Sequence, residues 1–316
     1  MTFLEIQTTS TQCIEGARKH FIGFHFQKSL EVKTKVIYNI ENLSCIYSSS
    51  IRPVLEIEQL QIERGERVFF IGPSGVGKST ILETLGLMNN TIKPNKNSTF
   101  DFLGKNILDI WFKGEEDMKN KRKEKFSFIF QSNNLFSSMT GQQNIISGAL
   151  IEGLIDIEKL KQNATKQVEY LLEDLNLKNG EDFSVNKISG GQKQRVAFAR
   201  AIIAEKDILF ADEPTGNLDW YNAEKLMSHL DKELKKKDGT SIIVTHDIDL
   251  ALKFATKIVL IDKMSELVEG IKQYYGVINK SSIYLKKNAT WFNDNQKKDL
   301  SKVKSEIKNQ FIPKSV

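Results

Sequence analysis

The most constraining feature of the sequence is the run Gly72-Pro73-Ser74-Gly75-Val76-Gly77-Lys78-Ser79, which fits the pattern G-x-x-x-x-G-K-[ST]. It lies between an apolar run at 67–71 that predicts a strand and a segment beginning Ser79-Thr80-Ile81 that predicts a helix. Glycines here let backbone N–H groups converge on phosphate oxygens, and the helix N-terminus adds positive potential. The run therefore predicts a nucleotide site in which Lys78 contacts the β- and γ-phosphates and Ser79 ligates Mg²⁺.

Short apolar runs alternate with longer helical stretches, and Gly or Asp residues separate them. This order is typical of an α/β fold, a mostly parallel sheet with helices on its faces. Four of the candidate strands end directly before a polar or glycine motif, at the edge where open α/β sheets bind their ligands. The five candidate strands are 67–71, 126–130, 207–211, 241–245 and 257–261.

The chain divides into regions of different character. Residues from about 140 to 186 have helical periodicity, clearest in 157–177, and no strand-like alternation, so we expect an inserted helical subdomain. Residues 1–36 and 281–316 carry no motif or strong period. We therefore expect a nucleotide-binding domain at 37–280, an N-terminal extension before it and a basic C-terminal tail after it.

The C-terminal region is rich in lysine. From residue 280 to 316, nine lysines stand against three acidic residues, while the net charge of the whole chain is only +5. Trp291, Phe292 and Phe311 accompany these lysines, so one hypothesis is that the tail contacts anionic lipid headgroups. The alternative is a solvated tail that contacts nothing. A basic tail on a nearly neutral body does not indicate a nucleic-acid-binding fold.

The sequence also bears on compartment and metal content. No apolar run approaches the ~20 residues of a bilayer span. The N-terminus lacks the basic and apolar regions of a secretory signal, so we expect a cytoplasmic protein. Cys13 and Cys45 have neither disulfide-framework nor zinc-ligand spacing, and we interpret them as free thiols.

Two carboxylates follow the apolar run Ile208-Leu209-Phe210-Ala211. In a parallel sheet this position places Asp212 and Glu213 beside the phosphate loop. We expect Asp212 to hold Mg²⁺, largely through water, and Glu213 to act as the general base that polarises the attacking water. The alternative, an acidic pair that merely ends a strand, is less compatible with the adjacent phosphate-loop motif.

Residues 188–195, Ile-Ser-Gly-Gly-Gln-Lys-Gln-Arg, resemble the signature motif of ABC ATPases, a family of P-loop NTPases, whose usual form begins with Leu rather than Ile. The residues also make physical sense, because Ser189 can cap the following helix. Its hydroxyl and the amides of Gly190 and Gly191 would form a second anion site, to which the resemblance adds Gln192. The resemblance covers about residues 37–280.

Other positions match further motifs of that family. Gln131 resembles the glutamine that senses Mg²⁺ or water and links to a partner. Asp219 ends a Gly-Asn-Leu-Asp run that resembles the loop crossing the dimer seam. His246 resembles the switch histidine that bonds the γ-phosphate. Tyr47, 25 residues before the phosphate loop, stands where the family has a ring stacked on adenine; core packing is the alternative, and Tyr38 is the nearby competitor.

One further run resembles a particular branch of the family, and two positions depart from the family pattern. Residues 213–219, with Gly-Asn before Leu-Asp, are similar to the lipoprotein-releasing, macrolide-export and cell-division branch. After Gln131, Gln143 stands where relatives usually have Glu, which puts a charge pairing with a partner in doubt. Residues 262–275 occupy a position where relatives generally turn within a few residues, so an insertion is expected.

The resemblance implies an ATP- and Mg²⁺-dependent ATPase that forms a head-to-tail homodimer, each ATP lying between one phosphate loop and the other subunit's Ser189. It further implies separate membrane-spanning permease subunits and a peripheral location on the cytoplasmic face of the inner membrane, with no nucleic acid. An alternative is a soluble ABC ATPase acting on nucleic acid or ribosomes. A third hypothesis, a scaffold that binds ATP without hydrolysing it, is disfavoured by Glu213.

Overall fold

The computed structural model describes residues 35–111, 114–150, 184–268 and 271–311. Contacts divide the chain into two compact units, Met1–Lys35 and Val36–Val316, and the account below concerns the second. The expected N-terminal extension therefore lies almost entirely outside the described residues. Most of the expected helical subdomain, including residues 157–177, also lies outside them.

Within the described residues, the strands form one eight-stranded and one six-stranded sheet. The strands are β1 (Val36–Cys45), β2 (Leu55–Glu63), β3 (Arg67–Ile71), β4 (Ile92–Phe102), β5 (Lys105–Asn106), β6 (Phe126–Ile129), β7 (Ile208–Asp212), β8 (Thr240–Val244), β9 (Lys257–Leu260), β10 (Asp262–Val268), β11 (Ile271–Ile278), β12 (Ile283–Lys287), β13 (Thr290–Asn293) and β14 (Gln296–Lys298). The helices are α1 (Lys78–Leu85), α2 (Leu108–Trp111), α3 (Glu115–Lys125), α4 (Gly141–Leu150), α5 (Gly190–Ile203), α6 (Trp220–Lys236), α7 (Ile248–Phe254) and α8 (Leu300–Phe311). Single 3₁₀ turns lie at Val185–Lys187 and Lys280–Ser282.

The larger sheet has the order β14-β13-β12-β9-β3-β8-β7-β6. Its strands β6, β7, β8, β3 and β9 run parallel, and these are the five strands that the sequence predicted, with bounds shifted by one residue at most. Every residue of β3, β8 and β9 is buried, as expected for parallel strands covered on both faces. The α/β fold class is thus confirmed.

Alternate residues of the parallel strands face two different hydrophobic clusters. Phe69 and Ile71 belong to a cluster that also contains buried residues of α5, α6, α7 and α8. Val68 and Phe70 belong to a second cluster, which contains buried residues of α1 and of the smaller sheet. The phosphate-loop helix and the signature helix α5 therefore pack on opposite faces of the parallel sheet.

The smaller sheet, β10-β11-β2-β1-β4-β5, was not predicted from the sequence. It is antiparallel except where Gly276–Ile278 of β11 runs parallel to Leu55–Ile57 of β2. The expected insertion at 262–275 forms the hairpin β10–β11. A Cβ atom on Gly276 would collide with the carbonyl oxygen of Val76 in the phosphate loop, so this strand passes close to the nucleotide site.

The C-terminal segment is not the separate tail that the lysine content suggested. Strand β12 pairs with β9, so residues 283–298 extend the main sheet by three antiparallel strands. Trp291 is only 1% exposed, and Val303 and Ile307 of α8 are fully buried in the same cluster as α7. The expectation of a separate tail is wrong for residues 283–311, because their apolar side chains complete the core while the lysines lie around it. Contact of these lysines with anionic lipid headgroups stays a prediction. None of the described helices combines the length and the apolar character needed to cross a bilayer.

Candidate active site

The loop from Gly72 to Ser79 connects β3 to α1. Gly75 and Gly77 have φ values of 79° and 90°, in the left-handed region that favours glycine. A Cβ atom on Gly75 would meet nothing within 4 Å, so this part of the loop is open. Gly77 is the N-cap of α1, and no side chain caps it. The free N–H groups of this helix end, next to the exposed Ser74, are therefore suited to phosphate oxygens.

The ammonium group of Lys78 lies over the same loop. Its Nζ donates to the carbonyl oxygens of Gly72, at 2.9 Å, and Pro73, at 2.8 Å. Burial lowers the pKa of Lys78, and the negative charges of Glu213 and Asp212 oppose that shift. A partly desolvated positive charge thus lies at the loop, where it can exchange carbonyl contacts for charge-assisted bonds to phosphate.

Oxygen ligands suited to Mg²⁺ lie beside the loop. The Ser79 hydroxyl donates to Oδ2 of Asp212 at 3.4 Å, which brings two predicted metal ligands together. Among the described residues, no group of three or more His, Cys, Asp or Glu side chains could hold a metal. Mg²⁺ in nucleotide sites commonly takes one or two protein oxygens and completes its shell with phosphates and water. The residues present therefore fit an ion shared with a nucleotide.

Asp212 and Glu213 follow one another at the carboxyl end of β7. Burial, and then the adjacent charge of Glu213, raise the pKa of Asp212; the Ser79 hydroxyl bond and the charge of Lys78 oppose this. Two carboxylates are held close together with little solvent. Such crowding favours the binding of cations, and it is typical of sites that receive a metal and phosphates.

The backbone of Glu213 has φ 49°, which is uncommon for a residue other than glycine. Three hydrogen bonds hold it there. Its N–H donates to the carbonyl oxygen of Val244 at 2.9 Å, and its own carbonyl oxygen accepts from the Gly216 N–H at 3.2 Å and from Nε2 of Gln194 at 3.3 Å. Because the surroundings fix this strained backbone conformation, the direction of the Cα–Cβ bond of Glu213 is fixed, and its carboxylate is then oriented by its own contacts.

That side chain forms a hydrogen bond with His246. The Nδ1 atom of His246 lies 2.8 Å from Oε2 of Glu213. The histidine side chain is 70% exposed, whereas that of Glu213 is 15% exposed. An N–H on Nδ1 that donates to the carboxylate leaves Nε2 free to face a ligand from the open side. The predicted base and the predicted switch histidine are thus brought together.

Tyr47 contacts the helix that follows the phosphate loop, and Gln131 follows strand β6. Tyr47 is 37% exposed, and its hydroxyl lies 3.1 Å from Oγ1 of Thr80 in α1. The competitor Tyr38 is fully buried and donates to the carbonyl oxygen of Leu85, so it cannot meet a nucleotide. Gln131 is exposed just after β6, and no described residue hydrogen-bonds its side chain. β6 pairs with β7 as far as Ile129 and Ala211, so Gln131 follows the strand that neighbours Asp212, but none of the described hydrogen bonds joins it to Asp212 or Ser79.

The signature residues form the N-terminus of α5. Ser189 is the N-cap, and its hydroxyl accepts from the N–H of Gln192, whose side chain accepts from the N–H of Ser189. The sequence predicted Ser189 as the cap of this helix, but it did not predict that the Gln192 side chain forms the second half of the capping box. Ser189 and Gly190 are exposed, and a Cβ atom on Gly190 would meet nothing within 4 Å. Asp219 likewise caps α6, accepting from Asn222.

Two residues that the sequence analysis did not single out connect the signature helix to the site. Gln194 is buried, and besides donating to the Glu213 carbonyl it accepts from the N–H of Asn217 at 3.2 Å. Arg200 donates to the carbonyl oxygens of Asn133 and Asn134, in the segment after Gln131. The signal in the sequence was that Gln194 is polar while Ala197, Phe198 and Ala201, three, four and seven residues later on the same helix face, are apolar.

Comparisons with known proteins agree with this geometry. Residues 55–216 match the model of the ABC transporter family, a span that contains the phosphate loop, the signature residues and both carboxylates. The chain belongs to this family. It is accordingly an ATP-binding ABC ATPase. Membership of this family explains why one chain carries both a phosphate loop and a signature helix.

Individual relatives cover different shares of their own length. The chain is 36% identical over 203 residues to the lipoprotein-releasing system ATP-binding protein LolD of Leptospira interrogans serogroup Icterohaemorrhagiae serovar Lai (strain 56601), which is 64% of this chain and 80% of the relative. It is 38% identical over 218 residues to the macrolide export ATP-binding/permease protein MacB of Shewanella sp. (strain W3-18-1), which is 69% of this chain but only 31% of the relative. The chain thus spans about a third of the length of that relative.

Solved structures give the same result for the fold. A dimeric post-hydrolysis state of an ATP-binding cassette, bound to ADP and Pi, aligns with a TM-score of 0.60 and 31% identity, over 71% of this chain and 94% of the other. A dimeric bacterial ABC transporter cassette aligns with a TM-score of 0.60 and 32% identity over the same shares. Dimeric cassettes therefore share this fold.

Proposed function

We propose that this ATPase works as a head-to-tail homodimer that drives a membrane protein, with ATP held between the phosphate loop of one subunit and Ser189 of the other. The observation that carries the proposal is the convergence of Lys78, Asp212, Glu213 and His246 at one edge of the parallel sheet, while the exposed signature serine belongs to a helix on the opposite face. No described hydrogen bond or ion pair joins the phosphate loop to Ser189 or Gly190. A second copy can supply the missing contacts.

Within this site, the residues have distinct roles. Free N–H groups at the start of α1 and the Lys78 ammonium bind the phosphates. Ser79 and Asp212 would hold Mg²⁺, which offsets phosphate charge when it is bound, and Gln131 would join them when the site closes. Glu213 accepts a proton from the attacking water, and His246 fixes the orientation of Glu213 while its Nε2 faces the γ-phosphate. Tyr47 stacks on the adenine.

The exposed segment after Gln131 is the proposed contact with the membrane protein. Phe136 is exposed there, and its backbone is held by Asn144 of α4, while Arg200 holds Asn133 and Asn134. A segment with a rigid backbone and an exposed ring can transmit closure of the nucleotide site to a bound partner. The chain would then lie at the cytoplasmic face of the inner membrane.

The comparisons support a membrane complex over the nucleic-acid alternative. One relative is described as the ATP-binding protein of a lipoprotein-releasing system, and another as a macrolide export ATP-binding/permease protein. The dimeric solved cassettes support the homodimer.

Affinity purification from detergent-solubilised membranes of the native organism tests this function. We expect the tagged chain to bring down a multi-span membrane protein. Phe136→Asp should lose that protein while keeping its ATPase activity in isolation, and Tyr274→Ala, which alters an equally exposed ring on the β10–β11 hairpin, should retain it. Recovery of the wild-type chain with ribosomes or RNA, and without a membrane protein, would contradict the proposal.

A further inference from the structure

Two consecutive aromatic residues are exposed at the start of α6. Trp220 is 48% exposed and Tyr221 is 76% exposed, directly after the N-cap Asp219. At 100° per residue, Tyr221 lies about 180° around the helix from the buried Leu230. The core of the chain therefore does not need an aromatic ring at this position, and the two adjacent exposed rings form an apolar patch that a partner can cover.

The pair adjoins the signature residues. A Cβ atom on Gly191 would lie 3.2 Å from Cδ2 of Leu218 and 3.8 Å from the carbonyl oxygen of Asn217, so the segment before α6 packs against the start of α5. Ser189, Gly190 and Asn217 are exposed on this side. The aromatic pair is thus continuous with the face that carries the signature serine.

The chemistry of this patch fits a second copy of the same chain. The first turn of α6, residues 220–223, contains no charged side chain. In the proposed dimer the face that carries Ser189 meets the second copy, so a patch continuous with that face lies against the same copy, where uncharged aromatic groups can pack. Trp and Tyr are also the residue types most enriched at the energetic centres of protein interfaces.

We propose that Trp220 and Tyr221 form an apolar contact with the second subunit in the ATP-bound dimer, and that this contact sets how tightly the two subunits close. The inference rests on the proposed homodimer. It adds a specific pair of residues that bind neither nucleotide nor metal, so their removal should separate dimer closure from ATP binding.

The test uses the full chain carrying Glu213→Gln, which should retain bound ATP. Sedimentation velocity with saturating ATP and Mg²⁺ gives the dimer dissociation constant of this parent, of Trp220→Ala, of Tyr221→Ala and of the double variant. Tyr274→Ala is the matched control, since Tyr274 is an exposed ring outside this patch. Binding of a fluorescent ATP analogue to dilute, monomeric protein measures nucleotide affinity separately.

We expect each single substitution to raise the dimer dissociation constant at least about tenfold and the double variant to raise it further. Tyr274→Ala and the ATP affinity of the monomers should be unchanged. If the parent dimerises and the aromatic variants dimerise equally well, this inference is wrong and the proposed function stands, and a membrane protein becomes the expected partner of the patch. If the parent remains monomeric, the proposed homodimer and this inference both fail.

Discussion

The Nδ1 atom of His246 lies 2.8 Å from Oε2 of Glu213, so the candidate general base and the candidate switch histidine form one hydrogen-bonded unit. β7 and β8 are adjacent parallel strands, and each residue of the pair follows the end of one of them. Because the Glu213 backbone is fixed by hydrogen bonds to Val244, Gly216 and Gln194, the histidine completes the positioning of a carboxylate whose direction is already restricted.

His246→Ala should reduce kcat at least about a hundredfold, the scale expected when a proton-transfer group loses its positioning. ATP affinity should change by a much smaller factor, since the phosphate loop and Lys78 remain intact. Steady-state phosphate release and equilibrium ATP binding measure the two effects separately. Loss of affinity with an unchanged kcat would assign His246 to binding instead.

Lys78→Ala should act earlier, at nucleotide binding. It removes a positive charge held over the loop by Gly72 and Pro73, and losing a charge-assisted bond of this type costs on the order of 1.5–3 kcal/mol. Isothermal titration calorimetry should therefore show a weakening of ATP affinity by roughly tenfold to a hundredfold. Equal affinities of the variant and the wild type would contradict the role of Lys78.

Asp212 should lower the stability of the nucleotide-free protein at neutral pH. Burial and then Glu213 raise its pKa, so the folded state favours the protonated carboxyl. The stabilisation from protonated Asp212 is complete below the unfolded-state pKa and is lost as pH rises through the folded-state pKa. Asp212→Asn should stabilise the protein at pH 7.5, by less than about 1 kcal/mol because the carboxyl is partly exposed, and this gain should shrink at pH 5.

Urea denaturation at the two pH values measures the gain. The same variant should lose Mg²⁺-dependent enhancement of ATP binding, so stability and function change in opposite directions. An equal gain at both pH values would show that the effect does not come from ionisation of Asp212.

Trp291→Ala should destabilise the fold by about 3–5 kcal/mol, the cost of removing a large aromatic side chain from a packed core. The ring is 1% exposed and belongs to the same cluster as Val303 and Ile307. Chemical denaturation measures the change. Leu300→Ala, at an exposed position of the following helix, is the control and should stay within about 0.5 kcal/mol. A variant as stable as the control would restore the idea of a separate tail.

The sequence predicted the parallel sheet because its strands are buried on both faces and read as unbroken apolar runs, as in Val68-Phe69-Phe70-Ile71. It did not predict the antiparallel sheet, since a strand such as Ile92–Phe102 has many polar residues and gains its order by pairing with β1 and β5. Local composition does not distinguish a long-range pairing from a loop.

Composition misled at the C-terminus for a related reason. Lysine-rich flanks indicated solvent exposure, yet Trp291 is buried while Lys286 lies over its ring and donates to the carbonyl oxygen of Leu252. At the site, motif positions predicted the pairing of Ser79 with Asp212 and the strand-end positions of Glu213 and His246. The bridging role of Gln194 depends on the packing of α5 against the segment after β7, which no local pattern encodes.

The central claim is that Glu213 activates water in an ATP site completed by a second subunit. Sedimentation velocity of Glu213→Gln with ATP and Mg²⁺, set beside phosphate release, tests it most directly. We predict a stable dimer with ATP, a monomer with ADP and almost no phosphate release, because binding contacts persist while the base is lost. A variant that remains monomeric at saturating ATP, or that releases phosphate at the wild-type rate, would contradict the account.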